Sequence, residues 1–136
     1  MSVLFKALRA GIDIEKMADE KYSYEAMDII FANLKKGYNI LDYITSDYSI
    51  DQIYQISKGL DRGVDVSKYS SINYSPTKMR AIRKVLEYNK NNSDKLSYEI
   101  YLKDISDEEI DDIRSILKNG SEEDKNNLYE KYDIAI

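Results

Sequence analysis

The chain has 136 residues, 43% of them apolar and 33% charged, which is long enough for one domain with a real core and excludes wholesale disorder. A single proline and five glycines leave long uninterrupted stretches, favouring helices over a turn-rich β fold. The net charge of −5, from 20 basic and 25 acidic residues, argues against long-range attraction to nucleic acid.

The opening Met-Ser-Val-Leu-Phe-Lys lacks the apolar core of a signal peptide, and no later run approaches a membrane span. A cytoplasmic protein without a membrane partner is therefore expected. The first recognisable signals are Gly11, the potential cap Asp13, and Ile14 and Met17 three apart. They read as the second half of a unit that recurs further along.

Next come Tyr22-Ser23, then Tyr48-Ser49 and Tyr74-Ser75, each pair 26 residues after the last. Gly11, Gly37, Gly63 and Asn89 keep the same interval, as do Leu8, Leu34, Leu60 and Leu86, and Met1, Met27, Ile53 and Met79. Each serine stands where a helix N-cap belongs, and the tyrosine before it pairs with the Met or Ile five residues on as a hydrophobic staple. Ile30/Leu34, Ile56/Leu60 and Ile82/Leu86 continue one apolar face. Gly37, Gly63 and, further along, Gly120 are expected to supply a left-handed stop. The pattern predicts helices near 24–36, 50–62 and 76–88. After each glycine, Asn39 and Asp65 are expected to cap a short turn, with Ile40/Tyr43 and Val66/Tyr69 facing inward.

The period breaks at 89–104. Asn89 to Asp94 is polar and loop-like, and residues 96–102 read either as a helix capped by Ser97 or as a strand, the helix being favoured for want of a partner strand. A further copy then appears, displaced by five residues: Ile105-Ser106, Ile110, Ile113, Leu117 and Gly120. It predicts a helix near 107–119, with Gln52 and Glu109 completing capping boxes on Ser49 and Ser106. Residues 121–136 are expected to form a last helix with Leu128, Tyr129 and Tyr132 turned inward.

A unit of this size cannot bury its apolar face alone, so neighbours must stack. The expected fold is all-α: a short helical-repeat solenoid of long helix plus short helical turn, with a capping C-terminal helix. Residues 1–92 would hold three to four repeats, and residues 93–136 a degenerate repeat and an acidic cap, within a single structural domain.

With neither histidine nor cysteine, the usual nucleophiles and neutral-pH acid–base groups are missing, and no phosphate loop or calcium loop is present. No catalytic residues, cofactor or metal are expected, and the chain reads as a non-enzyme that binds a partner. Three surfaces are candidates. The first is the acidic run Asp107, Glu108, Asp111 and Asp112 with Glu122, Glu123 and Asp124, which could present a field complementary to a basic groove. Acids in a first helical turn are also favoured by the helix dipole, and three of these fall in that turn, so the structural role is preferred over the binding one. A divalent ion on Glu108, Asp111 and Asp112 is a lesser option.

The second surface comprises tyrosines outside the repeat pattern: Tyr24, Tyr54, Tyr88, Tyr98 and Tyr101. Exposed tyrosines are common anchors in protein interfaces. The third is a basic face of Lys78, Arg80, Arg83, Lys84 and Lys90 on the third repeat, with Tyr88 near enough to stack on a base. Residues 74–104 carry seven basic against four acidic side chains, and residues 105–136 four against ten. Phe5, Phe31, Ser57, Arg83 and Arg114 mark positions where the apolar stripe narrows, either opening the superhelix or facing a partner.

The unit Tyr48-Ser49…Ile56…Leu60-Asp61-Arg62-Gly63-Val64-Asp65-Val66-Ser67-Lys68-Tyr69 resembles short tandem repeats in proteins of Firmicutes, their phages and mobile elements. The likeness covers most of residues 1–90 and, less fully, 105–120. It implies a repeat fold and brings no active residues. Small acidic proteins from that setting include anti-CRISPR inhibitors, so the resemblance implies a partner that is another protein or a ribonucleoprotein complex. The alternative is a nucleic-acid-binding adaptor using the basic third repeat.

Overall fold

The computed structural model describes residues 21–135, which contain five α-helices, three 3₁₀ turns and no strand, so the described part is all-α. Among them no helix is long and apolar enough to cross a membrane. The expectations placed on Met1, Phe5, Leu8, Gly11, Asp13, Ile14 and Met17 lie outside the described residues. The backbone divides into two compact units, Met1–Asn73 and Tyr74–Ile136. That division falls before the third long helix, whereas the period alone groups residues 1–92.

The first unit holds α1 (Tyr24–Lys35), a 3₁₀ turn (Ile40–Asp42), α2 (Ile50–Arg62) and a second 3₁₀ turn (Val66–Lys68). Helix α1 packs on α2, and Ile30, Ile40, Ile53, Ile56 and Tyr69 are fully buried between these elements. Burying side chains of this size stabilises by about 1.5–3 kcal/mol each. At Ser57 the apolar stripe narrows without opening: the buried Asn33 amide donates to Ile29 O and to Ser57 Oγ, both at 2.8 Å, and so ties the two helices. Asn33 Oδ1 is buried without a hydrogen-bond partner.

The second unit holds α3 (Pro76–Asn91), a 3₁₀ turn (Glu99–Leu102), α4 (Asp107–Asn119) and α5 (Glu122–Lys131). Helix α4 packs against both α3 and α5, around Met79, Ile82, Ile100, Ile110 and Ile113. Residues 96–102 form neither the expected α-helix nor a strand: only Glu99–Leu102 turn, as a 3₁₀ element, with Ile100 and Tyr101 buried.

The four serines of the repeat are all helix caps, whereas Ser97 is not: the turn at Glu99–Leu102 starts from Tyr98, which makes no side-chain cap bond. Ser23, Ser49, Ser75 and Ser106 accept the N–H groups of Ala26, Gln52, Lys78 and Glu109 at 3.1–3.2 Å. Gln52 returns the bond to Ser49 N–H at 2.8 Å, closing a capping box. Glu109 does not, because its carboxylate accepts the Tyr132 hydroxyl at 3.1 Å instead. A box not anticipated forms at Ser121 and Asp124. Asp65 caps its short turn by accepting Ser67 N–H at 3.1 Å, but Asn39 makes no such bond.

Gly37 and Gly63 have φ of 89° and 70°, as a left-handed stop requires. Gly120 does not, with φ −74° and ψ 159°. Ser121 follows at once as the next N-cap, so the chain must leave extended. Glycine is required there for space: a Cβ would lie 2.6 Å from Ile116 O. Gly63→Val should lower the unfolding free energy by about 1–2 kcal/mol, measured by urea titration, because a β-branched residue in the left-handed region is strained.

Candidate anion-binding cleft

The period breaks in the second unit, and the break shapes its surface. At position 89, where Gly63 would place a stop, Asn89 lets α3 run on to Asn91. Its amide then clasps the following loop, donating to Leu96 O at 2.8 Å and accepting Leu96 N–H at 2.7 Å. Ser97 N–H is held by the Tyr129 hydroxyl at 3.1 Å. The hydroxyl of Tyr88 donates to Asp94 at 2.7 Å. That bond holds the Tyr88 phenol above its usual value and the Asp94 carboxyl below its own.

Beneath this loop is a cleft of about 660 Å³. Helix α3 contributes Arg80, Lys84 and Tyr88 to its wall, at four-residue intervals and therefore on one face. Helix α4 contributes Asp111, Arg114 and Lys118, and α5 contributes Lys125. Val85, Leu96, Tyr101 and Leu117 make the apolar part. Val85 is the period-equivalent of Gly59, whose missing side chain is replaced by Tyr69 and Val66 in the first unit.

Five cations thus face one cleft against one carboxylate. Arg114 lies 3.6 Å from Asp111, Lys125 3.7 Å from Glu122 and Lys84 3.9 Å from Glu87, each an ion pair within its own helix. Such pairs contribute little, about 0.3–0.5 kcal/mol. Arg80 and Lys118 have no ion-pair partner among the described residues. Guanidinium and ammonium groups gathered this way suit a phosphate or carboxylate ligand.

Of the basic face expected on the third repeat, Arg80 and Lys84 line the cleft. Arg83 does not belong to that face: it is 5% exposed and its guanidinium binds Glu87 at 2.9 Å. It lies on the packed side of α3, between Ile82 and the buried Val85. Lys78 is turned to Lys103 O at 3.0 Å and over the Tyr74 ring at 5.3 Å, and exposed Lys90 is not among the lining residues.

The tyrosines are dispersed. Tyr24 and Tyr54 are 58% and 46% exposed in the first unit, Tyr98 is half-buried, and Tyr88 borders the cleft. Tyr101 is not a surface anchor but a core residue, 1% exposed, because the 3₁₀ turn directs it under α3. Burial pushes its phenol well above the ordinary value of about 10. The folded state therefore keeps its proton while the unfolded chain loses it, so stability present below about pH 10 is lost as pH rises further. The slope should approach about 1.4 kcal/mol per pH unit, and Tyr101→Phe should flatten it in alkaline denaturant titrations.

Much of the acidic run serves the fold. Asp107 accepts the Ser75 hydroxyl at 2.7 Å, Asp124 closes a capping box, and Asp107, Glu108 and Glu109 fill the first turn of α4. Asp112, Glu122 and Glu123 are exposed. Among the described residues no three acidic groups are placed to hold a metal, so Glu108, Asp111 and Asp112 do not converge on one.

Neither Lys118 nor Lys125 stands out in the sequence, and Arg114 does so only as a gap in the apolar stripe. The surplus of acids over residues 105–136 concealed them. A usable signal was the register: Arg80, Lys84, Arg114 and Lys118 each follow a buried residue of their helix by one position. No family model, curated protein or solved structure matches the chain.

Proposed function

We propose that this chain is a non-catalytic, helical-repeat binding module that holds an anionic partner in the basic cleft of its second unit. The observation that carries the reading is the gathering of Arg80, Lys84, Arg114, Lys118 and Lys125 around one cavity, two of them unanswered by any carboxylate among the described residues. The recurring serine caps and glycine stops support a short solenoid of 26-residue units closed by α5. The absence of histidine and cysteine supports a binding role over catalysis.

A second reading, docking to a protein, is favoured by Tyr24 and Tyr54, large aromatic side chains left in solvent. The likeness to mobile-element repeats supplies no residue to either reading.

The test is calorimetric titration with inorganic tripolyphosphate. Binding should weaken as salt rises from about 50 to about 200 mM, and Arg80→Glu/Lys118→Glu should lower affinity at least about tenfold. Both side chains are exposed, so the melting temperature should hold. Unchanged affinity in the double variant would refute the cleft as the site.

A further inference from the structure

We infer that the cleft takes a mononucleotide carrying a free polyphosphate, with Arg80, Arg114 and Lys118 on the phosphates and the base against Tyr88. This rests on the proposed anion-binding reading and narrows it to one ligand class.

The cavity, about 660 Å³, falls within the range that encloses small ligands. Its lining is mixed, and a bare polyanion uses only half of it. Val85 and Leu96 offer apolar surface, and Tyr88 offers a ring whose hydroxyl is already occupied by Asp94, which fixes the ring in place. A planar base stacks on such a ring whatever its edge pattern. Asp111 would repel a bare phosphate, yet its carboxylate can accept a bond from a ribose hydroxyl or an exocyclic amine.

Charge argues for a small ligand over a nucleic-acid strand. The second unit, residues 74–136, holds 11 basic and 14 acidic residues. A strand extending past the cleft would meet net negative surface, whereas a mononucleotide sees the local cations alone. A peptide of Asp and Glu alone would satisfy those cations but has no aromatic ring to stack on Tyr88.

The experiment is a calorimetric panel on the full chain: adenosine triphosphate, inorganic tripolyphosphate, a short oligothymidylate and hexaglutamate. The nucleotide should bind at least about fivefold tighter than tripolyphosphate. That advantage should vanish in Tyr88→Leu and survive in Tyr88→Phe, which keeps the ring and gives up the Asp94 bond. Equal affinity for nucleotide and tripolyphosphate would overturn the role of Tyr88. Tighter binding of the oligothymidylate or of hexaglutamate would overturn the mononucleotide while leaving the anion site standing. Failure of all four to bind would remove both.

Discussion

Removing the Glu87 side chain as Glu87→Ala should cost about 3 kcal/mol of unfolding free energy, a large fraction of a small domain's total. The reason is the burial of its partner. The Arg83 guanidinium, 6% exposed, lies 2.9 Å from the Glu87 carboxylate, itself 17% exposed. Little water reaches the Arg83 head group, so its charge loses its nearest counterion with little solvation in return. Lys84, 3.9 Å from the same carboxylate and half exposed, has much less at stake. The double variant Arg83→Leu/Glu87→Leu should regain most of the loss, since two apolar side chains need no counterion. Urea unfolding of the three proteins checks this, and a double variant no better than Glu87→Ala would contradict the explanation.

Gly59→Ala should be destabilising by about 2 kcal/mol, against the usual direction. Within an exposed helix the change gains about 1 kcal/mol, because glycine has more backbone freedom to lose. Gly59 is buried in the middle of α2, and an added Cβ would lie 2.0 Å from the Tyr69 hydroxyl and 2.5 Å from Val66 Cγ1. That hydroxyl donates to Gln55 O at 2.6 Å and has no room to retreat, since Tyr69 is fully buried. Overpacking of this kind costs about 1–3 kcal/mol beyond the propensity gain. Adding Tyr69→Phe to Gly59→Ala should be less damaging than the sum of the single changes, since the clashing atom is gone. A stabilised Gly59→Ala would mean the 3₁₀ turn does not press on α2.

Helix positions were legible because local chemistry repeats. A serine cap, a staple and a left-handed glycine each act within a few residues, so sequence spacing alone marks where α1 to α4 begin and where α1 and α2 end. What was not legible depends on partners distant in sequence or on competition for one group. Glu109 resembles a capping-box residue until Tyr132, 23 positions on, takes its carboxylate. Gly120 resembles Gly63 until the next N-cap forces the chain to extend. Gly59 looks like a weak point in a helix, and its reason lies in Tyr69.

The site shows the same division. Arg80 and Lys84 stand out in a basic stretch, but Arg83 shares that stretch and is buried by packing that composition does not record. Lys118 and Lys125 belong to the most acidic part of the chain, yet they line the same cleft as Arg80. Net charge by segment averages over all faces of a helix, whereas a ligand meets one face.

The most direct measurement is a titration of the nitrogen-labelled protein with inorganic tripolyphosphate, followed by amide chemical shifts. Anion binding in the cleft predicts that the perturbed amides gather at Arg80, Lys84, Arg114, Lys118 and Lys125, with those near Tyr24 and Tyr54 unmoved. Shifts confined to the Tyr24 and Tyr54 surface, or no shifts at all, would contradict it.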